Sequence, residues 1–171
     1  LFRSEGMKTK MESMRRAIKK LPLASKVTCS GAVPGEEVAM FLSNHRAHDA
    51  LKQNRLYEML SCDPDYIDAY GLEVVAGRGF SEEYGDDVNK LVINETAARM
   101  LGYVDNDDAI GEEIAVETLG EPMQVIGVVK DYHQQALNKG YTGVMLFHKD
   151  KIEWIPQRYI SVVMKPGDPS E

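Results

Sequence analysis

Two histidines in one short stretch are the first candidates for chemistry. His45 and His48 lie three residues apart in the run His45-Arg46-Ala47-His48-Asp49. On a helix this spacing would bring both imidazoles to one face, where they could share a zinc ion. No third ligand follows at a spacing that is typical of zinc sites, so the sequence predicts a solvated loop and no metal site.

A second candidate is His133, which follows Asp131 and Tyr132. A histidine oriented by a carboxylate acts as a general base in many hydrolases, but this chemistry also needs a Ser or Cys nucleophile in an activating setting. The chain contains neither Gly-x-Ser-x-Gly nor His-Glu-x-x-His. A small enzyme built on these three residues is therefore an alternative that requires their side chains to converge in a pocket.

Nucleotide-binding loops and paired carboxylates give no stronger signal. Gly77-Arg78-Gly79 lacks the third glycine and the helix of a dinucleotide-binding loop, and the chain has no Gly-x-x-x-x-Gly-Lys-Ser/Thr motif of an ATPase. The acidic pairs Glu36-Glu37, Asp86-Asp87 and Asp107-Asp108 lie in predicted loops, where neighbouring side chains need not converge. The sequence therefore predicts no catalytic, cofactor-binding or metal-binding residue.

The elements that would position such residues form a mixed α+β pattern. Strands are predicted at Val27 to Ala32, Arg55 to Cys62, Leu72 to Ala76, Lys90 to Ile93, Glu113 to Thr118, Met123 to Val129, Val144 to His148 and Tyr159 to Met164. Helices are predicted from Ser4 to Leu21, Asp63 to Gly71 and Asn94 to Gly102, with one helical turn at Ser81 to Tyr84. The segment Glu37 to Asn54 lacks clean periodicity, which predicts a mobile loop with some helical or extended pieces.

The first predicted helix carries an apolar stripe. Met7, Met11, Met14, Ile18 and Leu21 recur at spacings of four and three residues. Such a stripe is typical of a helix face packed on a sheet, although methionine-rich stripes also serve as adaptable binding faces. The lysines and arginines on the remaining faces are predicted to be solvated.

Four residues have predicted structural roles at turns and helix starts. Asp63 and Asn94 are expected to cap the helices that follow, because their side-chain oxygens can accept from the free N–H groups of a first turn. Gly77 lets the backbone turn where a side chain would obstruct it. Arg78 is expected to tie loops together by hydrogen-bonding backbone carbonyls or a carboxylate.

Composition fits one globular domain, or two small lobes in one chain of 171 residues. The net charge of −7 argues against a nucleic-acid partner, because phosphate binding relies on clustered Lys and Arg. Cys29 and Cys62 both fall in β-like segments. The sequence leaves a disulfide between them open and favours two buried thiols.

The last residues carry the signal for a helix start without the helix. Asp168 is a good N-cap, Pro169 suits the first helical position, and Glu171 supplies the acid of a capping box. The chain also begins at Leu1 rather than at a methionine. We interpret the sequence as an excerpt of a longer chain, with a natural C-terminus in a turn as the alternative.

Three stretches resemble a known family in their order and spacing. They are Asp63 to Phe80, Val92 to Gly102 and Val125 to His133. Together they resemble the extracytoplasmic core domain of MacB/FtsX-like ABC transporter permeases, over most of the chain from about Met7 to Lys165. The resemblance implies a two-lobed domain, with a ferredoxin-like split lobe at about 1–65 plus 141–171 and an inserted lobe at about 66–140.

The resemblance also implies a function without catalysis or a cofactor. The domain would lie on the periplasmic side of the inner membrane, between transmembrane helices of a permease dimer driven by a cytoplasmic ATPase. It would pass the motion to a substrate or to a periplasmic adaptor, lipoprotein or peptide. A stand-alone extracytoplasmic binding or sensor domain is the alternative, because its composition would be the same.

Overall fold

The computed structural model describes residues 2–38, 40–50, 53–116, 118–152 and 157–166, and gives the backbone alone for residues 2–5, 7 and 8. The predicted capping signal at Asp168, Pro169 and Glu171 lies outside this part of the chain.

Strands dominate the structure. Three helices are described: α1 (Phe2–Lys19), α2 (Tyr66–Ala69) and α3 (Glu95–Met100). Nine strands are described: β1 (Ala24–Ser30), β2 (Phe41–Arg46), β3 (Arg55–Cys62), β4 (Val74–Gly77), β5 (Lys90–Asn94), β6 (Glu113–Val116), β7 (Met123–Val129), β8 (Val144–His148) and β9 (Tyr159–Met164). The mixed α+β class predicted from the sequence is confirmed.

All nine strands belong to one sheet. Following the pairings from β2 through β6, β7, β5, β8 and β3 leads back to β2, so these strands close into a ring. Strand β4 adds to β7, while β1 and β9 extend from β3. Pairing of β8 with both β3 and β5 makes the sheet continuous across the predicted lobes, and the division into lobes stays a prediction.

The apolar core forms on both faces of this sheet, because neighbouring residues of a strand point to opposite sides. Ile93 and Phe147 belong to one buried cluster, whereas Val92 and Leu146 belong to the other. All four residues are at most 1% exposed. The central strands therefore read as continuous apolar runs, which explains why the sequence identified them readily.

Most element boundaries agree with the sequence. The predicted bounds of β3, β7, β8 and β9 are confirmed to the residue, and the predicted pairing of β6 with β7 is present. The segment Glu37 to Asn54 was predicted as a mobile loop with some helical or extended pieces, and the structure places a regular strand, β2, within it. This strand carries the polar residues Ser43, Asn44 and His45, which hide its periodicity, yet it pairs with β3 on one side and β6 on the other.

Candidate functional site

A buried arginine joins α1 to the sheet. Arg15 is 6% exposed, and its Nε lies 2.9 Å from Asp63 Oδ2. The Nη2 of Arg15 donates to Asp65, which also accepts from Lys19 Nζ at 3.1 Å. We call Arg15, Asp63 and Asp65 the Arg15 joint. Because a guanidinium holds carboxylates in fixed directions, the joint sets the position of α1 on the sheet.

Asp63 is fully buried at the centre of this joint. Its carboxylate accepts from Thr28 Oγ1 at 2.5 Å and from the backbone N–H of Cys29 at 2.8 Å. Burial raises the pKa of Asp63, while these two donors and Arg15 act in the opposite direction. The prediction that Asp63 caps α2 was wrong, because its carboxylate bonds back to β1 and the N-cap residue is Asp65.

The apolar stripe of α1 is only partly covered by the described residues. Met11 and Ile18 are half-buried, but Met14 is 57% exposed and Leu21, just beyond the helix, is 55% exposed. The stripe was predicted to pack on a sheet, and this prediction was wrong for Met14 and Leu21. The prediction of a solvated basic face was wrong for Arg15, which is buried. The helix is rotated so that Arg15 reaches the sheet.

A second polar network connects two of the family-like stretches. Asn94 caps α3 as predicted, with Oδ1 accepting from the N–H of Ala97 at 3.0 Å and from that of Val144 at 2.8 Å. Its Nδ2 donates to Asp131 Oδ1 at 2.9 Å and to the carbonyl of Thr142 at 2.8 Å. One buried amide therefore fixes the start of α3, the end of β7 and the start of β8.

The carboxylate of Asp131 is fully engaged in this network. It accepts from the N–H of Thr96 and from Thr96 Oγ1, each at 2.8 Å, and from Arg99 Nη2 at 2.6 Å. His133 instead lies against the Tyr141 ring, with the ring centroids 4.7 Å apart. The described contacts do not bring Asp131 and His133 together as the enzyme alternative required.

Arg78 ties two loops together, as the sequence predicted. Its two Nη atoms donate to the carboxylate oxygens of Asp87, each at 2.7 Å, and Nη1 also donates to the carbonyl of Gly79 at 2.9 Å. Its Cζ lies 4.1 Å from the centroid of the Tyr84 ring. The bidentate pair holds the loop after β4 against the turn before β5.

Two glycines let the backbone beside Arg78 approach β7. Gly77 has a φ of +64°, and the N–H of Arg78 donates to the carbonyl of Ile126 at 2.9 Å. A methyl group on Gly127 would overlap the carbonyl of Arg78. Stretches 63–80 and 125–133 are therefore in backbone contact, which explains why glycines recur in both.

Replacing Arg78 with alanine is expected to lower the free energy of unfolding by about 2 kcal/mol, the range for hydrogen bonds to a charged group. For a domain of this size, this corresponds to a decrease in Tm of about 4–8 °C. Thermal unfolding followed by circular dichroism measures the effect. An unchanged Tm would contradict the role assigned to this side chain.

The Arg78–Asp87 pair also predicts a pH dependence. Hydrogen bonds from Arg78 lower the pKa of Asp87 from its ordinary value of 3.8. The carboxylate therefore contributes stability above pH 3.8, and this contribution is lost as the pH falls through the folded-state pKa. The stability difference between the wild type and Arg78→Ala should narrow below about pH 4. A difference that stays constant from pH 7 to pH 3 would contradict the pairing.

The histidines and cysteines take structural positions. His45 lies in β2, where its Nδ1 is 2.7 Å from Asn54 Oδ1. The Nε2 of His48 is 3.4 Å from Glu113 Oε2. Within the described ranges, no three His, Cys, Asp or Glu side chains are grouped to hold a metal ion. Cys29 and Cys62 are buried free thiols, as the sequence favoured, and burial raises the pKa of both.

The comparison with family models decides the relationship. The MacB-like periplasmic core domain matches residues 8–171. The chain belongs to this family. No curated protein matches the chain.

Two solved structures of transporter domains share the fold. The periplasmic region of MacB from Actinobacillus actinomycetemcomitans superposes with a TM-score of 0.57 and 18% identity over 81% of this chain. The extracellular domain of the ABC-type transporter YknZ from Gram-positive bacteria gives a TM-score of 0.65 and 17% identity, over 91% of this chain and 73% of that domain. The chain spans 55% of the length of the MacB region.

The family is found in the periplasmic or extracellular parts of ABC transporter permeases. Within the described part of this chain, no helix combines the length and apolar character that a membrane span requires. Three sets of polar contacts were described: the Arg15 joint, the Asn94–Asp131 network and the Arg78–Asp87 pair. Each includes at least one residue of the family-like stretches. They therefore give those stretches a physical role in holding the domain together.

Proposed function

We propose that this MacB-like domain transmits ATP-driven motion of a permease to its extracytoplasmic side. The observation that carries the proposal is the Arg15 joint, which fixes α1 to the buried carboxylate of Asp63. A helix held in this way moves with the sheet as one body. Displacement of α1 by a preceding transmembrane helix would therefore reach the whole domain.

The closed ring of strands supports the same proposal. A sheet closed by β2, β3, β5, β6, β7 and β8 has few free edges and resists bending, so a push at one side is passed on with little loss. In this proposal the domain lies on the periplasmic side of the inner membrane, in a permease dimer. The ATPase is a separate cytoplasmic subunit or domain, since the chain has no phosphate-binding motif.

The proposed recipient of the motion is a substrate or a periplasmic adaptor, lipoprotein or peptide. This domain would need no catalytic side chain for that role, because the work is done by a change in the relative position of two domains. The energy comes from differential binding of ATP to the two arrangements of the permease.

A spin-label distance measurement tests the proposal in the complete permease with its ATPase. Val104 is 99% exposed and both native cysteines are buried, so Val104→Cys offers one accessible thiol per described domain. Double electron–electron resonance would report the distance between the two spin labels of a permease dimer. We expect this distance to change on addition of a non-hydrolysable ATP analogue.

Arg15→Met in the labelled permease provides the specific control. It should reduce the nucleotide-dependent change, whereas the neighbouring variant Arg16→Met should not, because the Arg16 side chain is 73% exposed and its described bond is to Glu12, within α1. The same label distance with and without the nucleotide analogue would reject transmission of motion by this domain.

A further inference from the structure

Residues 131–142 leave the sheet after β7 and return to it before β8. The two ends of this segment bond to the same side chain, that of Asn94. Neither helix nor strand forms along this segment. Asn94 Nδ2 donates to Asp131 at its start and to the carbonyl of Thr142 at its end. A surface segment of this length whose ends meet is an Ω-loop, a class of loop that often moves or binds as a unit.

Beyond Tyr132 at its base, side-chain amide hydrogen bonds hold this loop on the molecule, together with an ion pair between Lys139 and Glu37 and a backbone bond from Gly35 to His133. Gln134 is 1% exposed, and its Nε2 donates to two backbone carbonyls of the turn after β1, at 2.9 and 3.0 Å. The Nε2 of Gln135 donates to Glu58 Oε1 on β3. At the tip, Leu137 is 81% exposed. A hydrogen bond between neutral groups contributes only about 1 kcal/mol net to stability, so this loop is weakly attached to the rest of the domain.

A carboxylate is buried beneath the loop with part of its hydrogen-bonding capacity unused. Glu58 is 1% exposed, and its Oε2 has no hydrogen-bond partner among the described residues. Oε1 of Gln134 is likewise buried without a described donor. An unsatisfied buried polar atom costs about 1–3 kcal/mol, and water would satisfy both atoms if the loop lifted.

We propose that residues 133–141 form a strap that opens as a unit, while Asp131 and Thr142 stay bonded to the side chain of Asn94 at its two ends. Opening breaks the bonds of Gln134 and Gln135 and the ion pair between Lys139 and Glu37, and it exposes the carboxylate of Glu58 on β3. The rest of the sheet keeps its pairing, because the strap contributes no strand to it. This inference is independent of the transport role, since it rests on contacts within the domain.

Amide hydrogen exchange on the 171-residue chain tests the strap. The reporter of its closed form is the backbone amide of Gly35, in the turn after β1, which donates to the carbonyl of His133 in the strap at 3.0 Å. We expect this amide to exchange through a local opening, faster than the amides of β5 and with little dependence on denaturant.

Glu58→Gln is expected to slow exchange at the Gly35 amide about tenfold, because it removes the buried carboxylate and keeps an acceptor for Gln135. Gln134→Ala should accelerate exchange at the Gly35 amide about tenfold, because it removes both anchoring donations. The matched control is Gln124→Ala, which removes an amide whose Nε2 donates to Gly111 outside the strap and should leave this rate unchanged.

Two results would overturn the proposal. One is equal or faster exchange of the Gly35 amide in Glu58→Gln. The other is exchange of this amide in the wild type only with global unfolding, at the same free energy as the amides of β5. Gln134→Ala keeps the test decisive if Glu58→Gln does not fold, because unchanged rates in that variant would also reject the strap.

Discussion

Replacing Asn94 with alanine is expected to lower the free energy of unfolding by about 4 kcal/mol. The side chain is 1% exposed and makes hydrogen bonds to four groups: the N–H groups of Ala97 and Val144, the carbonyl of Thr142 and the carboxylate of Asp131. Loss of the helix cap costs about 1 kcal/mol, and each buried group left without a partner costs about 1–3 kcal/mol. Urea unfolding followed by fluorescence measures the change.

Asn89→Ala provides the matched control for this prediction. Asn89 is exposed, and its two hydrogen bonds, from Nδ2 to Asp86 at 3.2 Å and from Lys151 Nζ to Oδ1 at 2.5 Å, lie at the surface, so removing its side chain is expected to change stability by less than about 0.5 kcal/mol. A loss below about 1.5 kcal/mol in Asn94→Ala would mean that water replaces the amide. The Asn94–Asp131 network would then be a local cap and not a connection between three elements.

Arg15→Met is expected to destabilise the domain by about 3–5 kcal/mol, the range for removal of one partner of a buried ion pair. Methionine preserves the length and apolar stem of the side chain, so the loss isolates the charge. The cost arises because the fully buried carboxylate of Asp63 keeps its donors from β1 but loses its cation. Chemical unfolding at pH 7 and low salt measures the effect.

Two further variants separate the joint from helix propensity. Arg16→Met changes the next residue of α1, whose side chain is 73% exposed, and should change stability by less than about 0.5 kcal/mol. Adding Asp63→Asn to Arg15→Met should restore part of the loss, because the remaining side chain is neutral. Additive destabilisation in the double variant would show that the two charges are not coupled.

These two predictions concern different parts of the domain. The Arg15 joint connects α1 to β1 and α2, whereas the Asn94–Asp131 network connects β5, α3, β7 and the start of β8. The variants are therefore expected to act additively, since they share no partner. A permease carrying Arg15→Met would be expected to lose transmission from α1 while the sheet itself stays folded.

Local sequence patterns were sufficient to predict contacts between residues that are close together in the chain. Asn94 caps the helix that begins one residue later, and Ser81 accepts from the N–H of Glu83 in the same way. The central strands were also predictable, because burial on both faces selects continuous apolar runs. The sequence predicted that Arg78 ties loops together, but it could not identify Asp87 as the partner.

Contacts between distant residues could not be derived from the sequence. Asp63 lies at a helix start and reads as an N-cap, but its carboxylate turns to Thr28 and Arg15. Strand β2 lacks an apolar alternation, yet pairing with neighbouring strands on both edges holds it in the sheet. In both cases local propensity is worth about 1 kcal/mol, which several long-range bonds exceed.

By itself the sequence determined the mixed α+β class, most strand boundaries and the family resemblance, because these follow from short-range periodicity and from residue order. Only the tertiary structure decided that β8 pairs with both β3 and β5, that Arg15 is buried and that the strap closes over Glu58. The physical reason is that charge pairing and strand order depend on which distant segments meet. The spacing of residues along the chain does not show which distant segments come into contact.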